Sequence, residues 1–411
     1  MTGSERKLII WVVNKEKKMK YNYTGFDTAV IVEENGNEVI LFQREEGSWL
    51  RMAKKVYENI CWHFKHQEIF DHKYDTLLAR LDEYHMLAHR TQKRLENITL
   101  MLTNTCNLNC KHCCASEISA SQDISFQILR QTIALGSRQI TVTGGEPLLH
   151  KRIREILAFL KQEYKGTLVL ATNGTLVEDY LDLILTYVDK VEISIDGVDD
   201  KDTEKYRGRG VFQKVLDAVQ MLKQHDIPVA MSLVSYDGSK KEKFIHLNEH
   251  YGTVPIIREL YLNDRVLSNI NEIVPQGREG YIQILRDSMK LEPEHMDCFP
   301  CGAVSYQIFV DCEGNVYPCG GLAENALKIG NIQDKAVYDK IANNPEACYE
   351  AVTEKLLAEE KFSKCRNCNV RCFCWNCISN VLSRSALPEV FEAYCENSLR
   401  KWKRFVWEER K

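Results

Sequence analysis

The sequence lacks three features that would each indicate a different class of protein. No run of apolar residues approaches the ~20 that a helix needs to cross a bilayer. The short apolar run at residues 8–13 is followed by no small-residue cleavage site, which argues against a signal peptide. The formal net charge is -4, so no global basic field attracts nucleic acid. We therefore expect a cytoplasmic protein whose partners include neither a membrane nor a nucleic acid.

Cysteine is absent from the whole middle of the chain, residues 115–297, although the 411 residues include 16 cysteines. Cys61 stands alone, four cysteines lie at 106–114, and the remaining eleven lie at 298–395. A disulfide scaffold would not leave its largest segment without crosslinks, and disulfides are rare in cytosolic proteins. The distribution therefore predicts iron–sulfur or zinc ligation in two regions of the chain.

Three cysteines lie within eight residues in the segment CNLNCKHC, at Cys106, Cys110 and Cys113. A structural zinc site needs four protein ligands, whereas three thiolates on a four-iron cluster leave one iron open to a small molecule. A buried or zinc-binding cysteine loop is the alternative. The apolar run at residues 98–102 predicts that a strand leads into this loop.

This spacing resembles the cluster loop of the radical S-adenosylmethionine (SAM) enzymes, and further motifs follow in that family's order. The segment GGEP comes after the next predicted strand, and TNG, SIDG and RGRGVF follow it. The resemblance implies that Cys106, Cys110 and Cys113 hold a [4Fe-4S] cluster whose open iron binds SAM. It also implies reductive cleavage of SAM to methionine and a 5′-deoxyadenosyl radical, which abstracts hydrogen from an unactivated carbon.

The same resemblance assigns the contacts with SAM. Glycine lets backbone approach a ligand closely, which suits the GGEP segment to the amino group of SAM. The planar fork of an arginine suits the SAM carboxylate, although a loop salt bridge explains Arg207 or Asp196 equally well. The residues expected to bind SAM are His112, Gly144, Gly145, Glu146, Asn173, Ser194, Asp196 and Arg207. No residue is assigned to catalysis on the substrate.

Strand-like and helix-like runs alternate through the middle of the chain, which predicts an α/β fold with a parallel sheet. Six such units fit a partial (β/α)6 barrel, the fold that the resemblance also implies. Ligand groups then belong at the C-terminal ends of the strands, where the motifs fall. The predicted strands are 98–103, 139–143, 167–172, 191–195, 229–234 and 256–262; the predicted helices are 125–135, 151–163, 177–187, 211–224 and 240–250.

The first 95 residues are predicted to form a unit of their own. Strands are expected at 8–13, 28–33, 38–43 and 47–52, with a hairpin turn at 34–37, and helices at 54–64 and 74–88. This order resembles the winged-helix peptide-recognition element of enzymes that modify ribosomal peptides, which adds a leader peptide as a strand to a sheet edge. A generic capping domain and a DNA-binding winged helix are the alternatives.

The cysteine-rich C-terminal region resembles the SPASM extension, which carries two auxiliary [4Fe-4S] clusters. The resemblance assigns Cys301, Cys319 and Cys377 to the first auxiliary cluster, with Cys298 or Cys312 as its fourth ligand. It assigns Cys365, Cys368, Cys374 and Cys395 to the second. Cys377 comes one residue early for the pattern, Cys372 is a rival to Cys374, and a zinc ribbon is the alternative. The cysteines outside the motifs, expected to be ordinary packed thiols, are Cys61, Cys114 and Cys348.

The domains expected are therefore a leader-peptide recognition domain at 1–95, a radical SAM barrel at 96–292 and a SPASM domain at 293–411. The resemblance implies SAM and three [4Fe-4S] clusters as cofactors, a precursor peptide with a leader as substrate, and flavodoxin or ferredoxin as reductant. It favours a peptide maturase that forms a cysteine thioether. The alternatives are a carbon–carbon crosslinking cyclase, a protein side-chain maturase of the anaerobic sulfatase-maturating type, and a non-catalytic metal-binding regulator, against which the GGEP loop argues.

Overall fold

The computed structural model describes residues 25–27, 29–66, 70, 72–88, 95–115, 123–290, 301, 303–304, 306–375 and 377–408. The predicted strand at 8–13 and the candidate ligand Cys298 lie outside the described residues.

The N-terminal unit is a three-stranded antiparallel sheet followed by two helices. Strand β1 (Val30–Asn35) pairs with β2 (Glu38–Gln43), and β2 pairs with β3 (Ser48–Ala53). Asn35 pairs with Glu38, so Gly36 and Asn37 form a two-residue hairpin loop, and Gly36 takes the positive φ of +61° that such loops require. Helices α1 (Lys54–His66) and α2 (Asp75–Glu83) follow. These strands and helices match the expected order, while the peptide-recognition role of the unit stays a prediction.

The remaining strands of the described residues form one nine-stranded sheet. Its order is β12 (Gly330–Asn331), β11 (Asn315–Tyr317) and β10 (Gln307–Val310), followed by β4 to β9 in sequence order. The six strands from β4 to β9 are parallel, as the alternating pattern predicted. Their bounds are β4 (Asn97–Met101), β5 (Gln139–Thr143), β6 (Thr167–Thr172), β7 (Lys190–Ser194), β8 (Val229–Ser235) and β9 (Val254–Glu259).

Helices connect these strands and bury one apolar side against the sheet. In α4 the buried residues Ile153, Ile156, Leu157 and Leu160 follow the three-and-four spacing of a single helix face. Residues 177–180, expected to begin a helix, instead form turns, and α5 starts at Leu181. The helices of this region are α3 (Phe126–Ala134), α4 (Ile153–Glu163), α5 (Leu181–Tyr187), α6 (Asp200–Arg207), α7 (Val211–Gln224), α8 (Lys241–Tyr251), α9 (Asp264–Ile273) and α10 (Gly277–Lys290).

The C-terminal region extends the barrel sheet instead of standing beside it. Strand β10 (Gln307–Val310) pairs in parallel with β4, with Gln307 opposite Asn97, and β11 (Asn315–Tyr317) and β12 (Gly330–Asn331) continue the sheet as antiparallel strands. The sequence predicted the hairpin but not its pairing with β4. In the described residues after β12, the α-helices are α11 (Lys335–Asn343), α12 (Pro345–Ala358), α13 (Arg371–Cys374), α14 (Ile378–Arg384) and α15 (Pro388–Lys403).

No helix within the described ranges combines the length and the apolar character needed to span a bilayer.

Candidate active site

The loop that carries Cys106, Cys110 and Cys113 leaves the C-terminal end of β4 and is held by the backbone that follows β5. Gly145 N donates to Thr103 O at 2.8 Å, and Glu146 N donates to Thr105 O at 2.8 Å. A Cβ atom on Gly144 would lie 2.5 Å from Thr103 O, a distance that no side chain tolerates. The two glycines are therefore required because the chain's own cysteine loop approaches them, a reason that the sequence analysis did not foresee.

The thiols of Cys106, Cys110 and Cys113 lie in one neighbourhood. Burial raises the pKa of the Cys110 thiol to about 11, Arg207 opposes the rise, and Cys113 and Cys106 add to it. In the described part of the chain, no three His, Cys, Asp or Glu side chains converge on a point that a single metal ion would occupy. Ligands of a four-iron cluster need not converge in this way, because each binds a different iron.

A buried ion-pair cluster lies directly beneath this loop. Asp196 Oδ2 accepts from Arg207 Nε at 2.6 Å and Nη2 at 2.5 Å and lies 2.8 Å from His112 Nε2, while Asp196 Oδ1 accepts from Val234 N at 2.7 Å. The Asp196 backbone has a φ of +53°, a conformation that aspartate tolerates better than most residues. Arg207 Nη1 lies 4.0 Å from Cys110 Sγ, so these ion-paired side chains contact a predicted iron ligand.

The Asp196–Arg207 ion pair keeps its two charges despite burial. Burial acts to raise the pKa of the Asp196 carboxyl, but Arg207 and then His112 outweigh it and hold that pKa well below its ordinary value. Asp196 and Arg207 thus form the loop salt bridge named as an alternative, and their contact with SAM stays a prediction. His112 Nδ1 is buried without a hydrogen-bond partner, so a ligand acceptor or donor at that atom would satisfy it.

Glu146 joins the loops that follow β5 and β6. Its fully buried carboxylate accepts from Leu148 N at 3.2 Å, Thr172 Oγ1 at 2.8 Å and Asn173 N at 2.8 Å. Burial raises its pKa in spite of these three hydrogen bonds. In the structure Glu146 therefore positions the site, and a direct contact with SAM stays a prediction.

Two other predicted SAM contacts lie at the same edge of the sheet. Asn173 Nδ2 donates to Asn107 Oδ1 at 2.9 Å and lies 4.0 Å from Cys106 Sγ. Ser194, at the end of β7, lies with its hydroxyl 3.3 Å from that of Ser232 on β8. The predicted SAM residues therefore share the C-terminal edge with the cysteine loop.

The start of α9 clamps the cysteine loop, and sequence reasoning missed it. Arg265 Nε donates to Cys110 O at 2.7 Å and its Nη2 donates to Asn109 Oδ1; Asn263 Nδ2 donates to Cys113 O at 3.3 Å. These partners lie about 150 residues away in the sequence. No local pattern marks them, because their role depends on how the barrel brings α9 to the loop.

The first auxiliary site brings together Cys301, Cys319 and Cys377. Burial, and then the neighbouring Cys301 and Cys377, together raise the pKa of the Cys319 thiol to about 12. Cys377, whose spacing departs from the pattern, therefore lies with its predicted partners. Cys312 is fully buried in the barrel core, where Asp311, Glu313 and Asp123 are the charged groups that influence its thiol. The structure thus places it apart from this group, although it was a candidate fourth ligand.

The four cysteines predicted for the second auxiliary site line one cavity. Cys365, Cys368, Cys374 and Cys395 share its walls with Arg371, Trp375, Lys364, Val370 and Leu399. Cys372, the rival of Cys374, packs instead in an apolar cluster with Phe42 and Trp402. Burial raises the pKa of the Cys374 thiol to about 12, with Cys365 and Cys368 adding to the rise. Bonds to iron would offset this penalty, since the thiolate is the metal-binding form.

Comparisons with known proteins identify the families of two regions of the chain. Residues 100–251 match the family model described as the radical SAM superfamily, and residues 301–369 match SPASM, described as an iron-sulfur cluster-binding domain. Over 275 residues the chain is 28% identical to the antilisterial bacteriocin subtilosin biosynthesis protein AlbA of Bacillus subtilis, covering 60% of this chain and 59% of AlbA. Over 370 residues it is 26% identical to the AdoMet-dependent heme synthase of Methanosarcina barkeri, covering 75% of this chain and 98% of that protein.

A solved structure shares the fold. The structure of native anSMEcpe with bound AdoMet matches 76% of this chain and 97% of its own chain, with a TM-score of 0.50 and 18% identity. The chain spans 59% of the length of AlbA, so AlbA's activity is not transferred to it on this ground. The two family models imply SAM and [4Fe-4S] clusters as cofactors. The donor sets fit them: three grouped thiols in the barrel and four thiols around one cavity.

Proposed function

Because this chain belongs to the radical SAM superfamily and carries a SPASM domain, we propose that it matures a ribosomally made peptide by joining a cysteine sulfur to a carbon as a thioether. The observation that supports this most is the pairing of a three-cysteine loop in the barrel with a four-cysteine cavity in the SPASM domain. The similarity to AlbA, a bacteriocin biosynthesis protein, supports a peptide as the substrate. SAM and its cluster, when bound, supply the radical chemistry.

The residues of this chain act in that reaction by holding and shielding the reactants. Cys106, Cys110 and Cys113 would hold the first cluster, and the buried Asp196–Arg207 ion pair places the Arg207 guanidinium 4.0 Å from the Cys110 sulfur. The guanidinium favours the thiolate form of Cys110, which is the form that binds iron, and the nearby Asp196 carboxylate offsets part of this effect. Glu146 keeps the two ligand-facing loops in register through its hydrogen bonds to both.

The N-terminal sheet is the proposed site for the leader of the precursor peptide. In the portion of the chain that the structure describes, β1 and β3 are its two edge strands. An edge strand offers unpaired backbone N–H and C=O groups, to which an extended peptide binds as an added strand. Flavodoxin or ferredoxin is the proposed reductant, because a [4Fe-4S] cluster is reduced by a partner that donates one electron at a time.

The cofactor part of the proposal is tested by anaerobic reconstitution. Three [4Fe-4S] clusters give about twelve irons per chain. Cys110→Ala abolishes the release of 5′-deoxyadenosine from SAM, whereas Cys368→Ala retains part of it, because only the first site touches the SAM edge. Equal and complete loss in both variants would contradict separate roles for the two sites. Zinc in place of iron after anaerobic purification would contradict the cofactor assignment altogether.

The substrate part is tested with a short cysteine-rich peptide encoded beside the gene. Incubation with the loaded enzyme, SAM and reductant should remove a pair of hydrogen atoms from the peptide and block one cysteine from alkylation, both read by mass spectrometry. Loss of the hydrogens with every cysteine still alkylatable indicates a carbon–carbon crosslink instead. Modification of a folded protein's side chain, with no effect on any such peptide, supports the protein side-chain maturase.

A further inference from the structure

In the described residues, β2 is the central strand of the N-terminal sheet and is buried on both of its faces. Along β2, Val39 and Leu41 pack with α1 and α2, while the alternate residues Ile40 and Phe42 face the opposite way. Successive strand residues point to opposite faces, so β2 has no solvent-facing side. The second face packs against the polypeptide around the second auxiliary site.

The contact on that face is made by aromatic rings. Phe42 lies 5.1 Å from Phe373 and Trp49 lies 5.7 Å from the same ring, measured between centroids. Phe373 stacks in turn on Trp402 of α15 at 5.1 Å. Phe373 directly precedes Cys374, so the N-terminal sheet packs on a residue adjacent to a predicted iron ligand.

The Glu33 side chain of β1 lies close to Arg371 in the cavity wall, and burial raises the pKa of the Glu33 carboxyl to about 7 although Arg371 acts to lower it. Glu33 Oε1 on β1 lies 4.0 Å from Arg371 Nη2, and only 13% of the Glu33 side chain is exposed. Arg371 lines the cavity, and its Nη1 donates to Cys365 O at 3.3 Å. The arginine thus connects the N-terminal sheet to the backbone of a second predicted ligand.

A third connection passes through the last residues of the chain. Arg51 Nη1 on β3 donates to Val406 O at 2.9 Å and Trp407 O at 2.8 Å. Trp407 Nε1 donates to Asn369 O at 3.2 Å, and Asn369 follows the predicted ligand Cys368. Each of the three strands therefore contacts the segment between Cys365 and Cys374, directly or through one residue.

We propose that the sheet β1–β3 forms the outer wall of the second auxiliary cluster site, so that loading of this cluster and order in the sheet stabilise each other. The segment 365–374 has little regular structure of its own: a 3-10 helix ends at Cys365, and the four-residue helix α13 follows at its other end. Its position depends on metal bonds from inside and on aromatic packing from outside, and metal binding free energy acts as folding free energy in such segments. Loss of the cluster therefore weakens the aromatic packing of the sheet on this segment, and loss of the aromatic packing weakens the binding of the cluster.

The consequence for function follows by reciprocity and rests on the proposed leader binding. If cluster loading raises the affinity of the sheet for a peptide by some factor, peptide binding raises the affinity of the site for its cluster by the same factor. The N-terminal sheet would then bind the precursor peptide more tightly when the second auxiliary site contains its cluster.

The first test compares two neighbouring residues on β2. Phe42→Ala removes a ring that packs on Phe373, whereas Leu41→Ala removes an equally buried side chain that faces α1 and α2. Iron release from the anaerobically reconstituted full chain is followed with a ferrous chelator. We expect about tenfold faster release of a third of the iron in Phe42→Ala and near-wild-type release in Leu41→Ala, a factor common for coupled sites. Equal release from both variants overturns the proposal.

The second test works in the opposite direction and covers the case in which Phe42→Ala does not fold. Cys395→Ser removes one predicted ligand from α15, outside the aromatic cluster. We expect faster amide hydrogen exchange in β2 and β3 of this variant, and no such change in Cys110→Ser, whose cluster lies in the barrel. Unchanged exchange in Cys395→Ser overturns the linkage.

Measurements of peptide binding distinguish the linkage, that is, the mutual stabilisation of the sheet β1–β3 and the second auxiliary cluster, from the proposed leader-binding function. Both tests above use no peptide, so they hold or fail independently of the leader assignment. If the linkage holds and a leader peptide binds the wild-type holoenzyme, Cys395→Ser lowers its affinity. If the linkage holds and no leader binds the wild type, the leader-binding role fails while the structural inference stands.

Discussion

Asp196 is the residue on which the geometry beneath the first cysteine loop depends. It accepts four hydrogen bonds or ion pairs, and it is the partner of the buried Arg207 guanidinium. Removal of one member of a buried pair leaves the other as an uncompensated charge, which costs more than the pair itself contributes. The position was recognised in the sequence, but its role in holding Arg207 and His112 together was not.

Asp196→Asn is therefore expected to lower the free energy of unfolding by about 3 kcal/mol, because Arg207 loses its counter-charge in a buried setting. Chemical denaturation of the metal-free protein measures this change. Asp217→Asn, on the surface of α7, is the control and should differ little from the wild type. A stability of Asp196→Asn equal to that of the control would show that the pair does not need its charge.

Glu146→Gln tests the joint between the loops after β5 and β6. A glutamine amide has one acceptor oxygen, so at least one of the donors Thr172 Oγ1 and Asn173 N faces an NH2 group. A buried donor without an acceptor costs about 1–3 kcal/mol. We expect that loss in chemical denaturation, together with weaker SAM binding by calorimetry. Weaker SAM binding with unchanged stability would instead indicate that Glu146 contacts SAM directly.

At the scale of elements, helix α9 acts as a clamp on the cysteine loop. Arg265 holds two groups of that loop, and the loop has no regular secondary structure of its own. Arg265→Ala should therefore lower the occupancy of the first cluster after reconstitution, read as iron per chain and as the electron paramagnetic resonance signal of the reduced enzyme. Arg286→Ala, an exposed arginine on α10, should leave both unchanged. Full occupancy in Arg265→Ala would show that the cluster alone orders the loop.

The junction of α4, β6 and β7 provides a pH-dependent contribution to stability. Asp189 accepts from Leu168 N at 2.9 Å and from Lys161 Nζ at 2.5 Å. Burial opposes ionisation, but these two donors outweigh it and lower the pKa of the Asp189 carboxyl. A carboxyl with a lowered pKa stabilises the fold above its ordinary pKa of about 3.9, and this contribution is lost as the pH falls through the folded value.

Asp189→Asn should thus be less stable than the wild type at pH 7, and the difference should shrink as the pH falls below about 4. Urea unfolding across this pH range measures it. Asp182→Asn, which removes an exposed partner of Arg154, controls for the simple loss of a surface charge. A difference that stays constant down to strongly acidic pH would contradict the assignment.

At the scale of the whole molecule, the barrel and the C-terminal region share a sheet. β10 covers the edge of β4 with four paired residues, and β4 itself carries the loop of the first cluster. Without β10, β4 becomes an exposed edge strand with buried apolar residues such as Ile98 and Leu100. A chain that ends at residue 290 is therefore expected to associate or aggregate, as measured by light scattering. A soluble monomer of that length would show that the barrel does not need the extension.

Local sequence patterns predict much of the secondary structure and the positions of the cysteine motifs. Strands β5 and β6 and helix α7 begin and end where their patterns predicted, because each has a regular apolar period and a clear boundary. The cysteine spacings identified both cluster regions for the same reason: ligands on one loop are close in space because they are close in sequence. Elements and ligands that are defined by local spacing can be recognised in the sequence without knowledge of the tertiary structure.

What only the tertiary structure decided are the contacts between distant segments. Four features join segments far apart in the chain: Cys374 and not Cys372 lines the cavity, Cys312 is buried in the barrel core, Arg265 clamps the cysteine loop, and Phe42 packs on Phe373. These contacts result from the pairing of β10 with β4 and from the burial of both faces of β2. Both features depend on which elements pack against each other in the folded chain. Local patterns determine which faces of an element are apolar; the partner that covers each face follows from the whole arrangement.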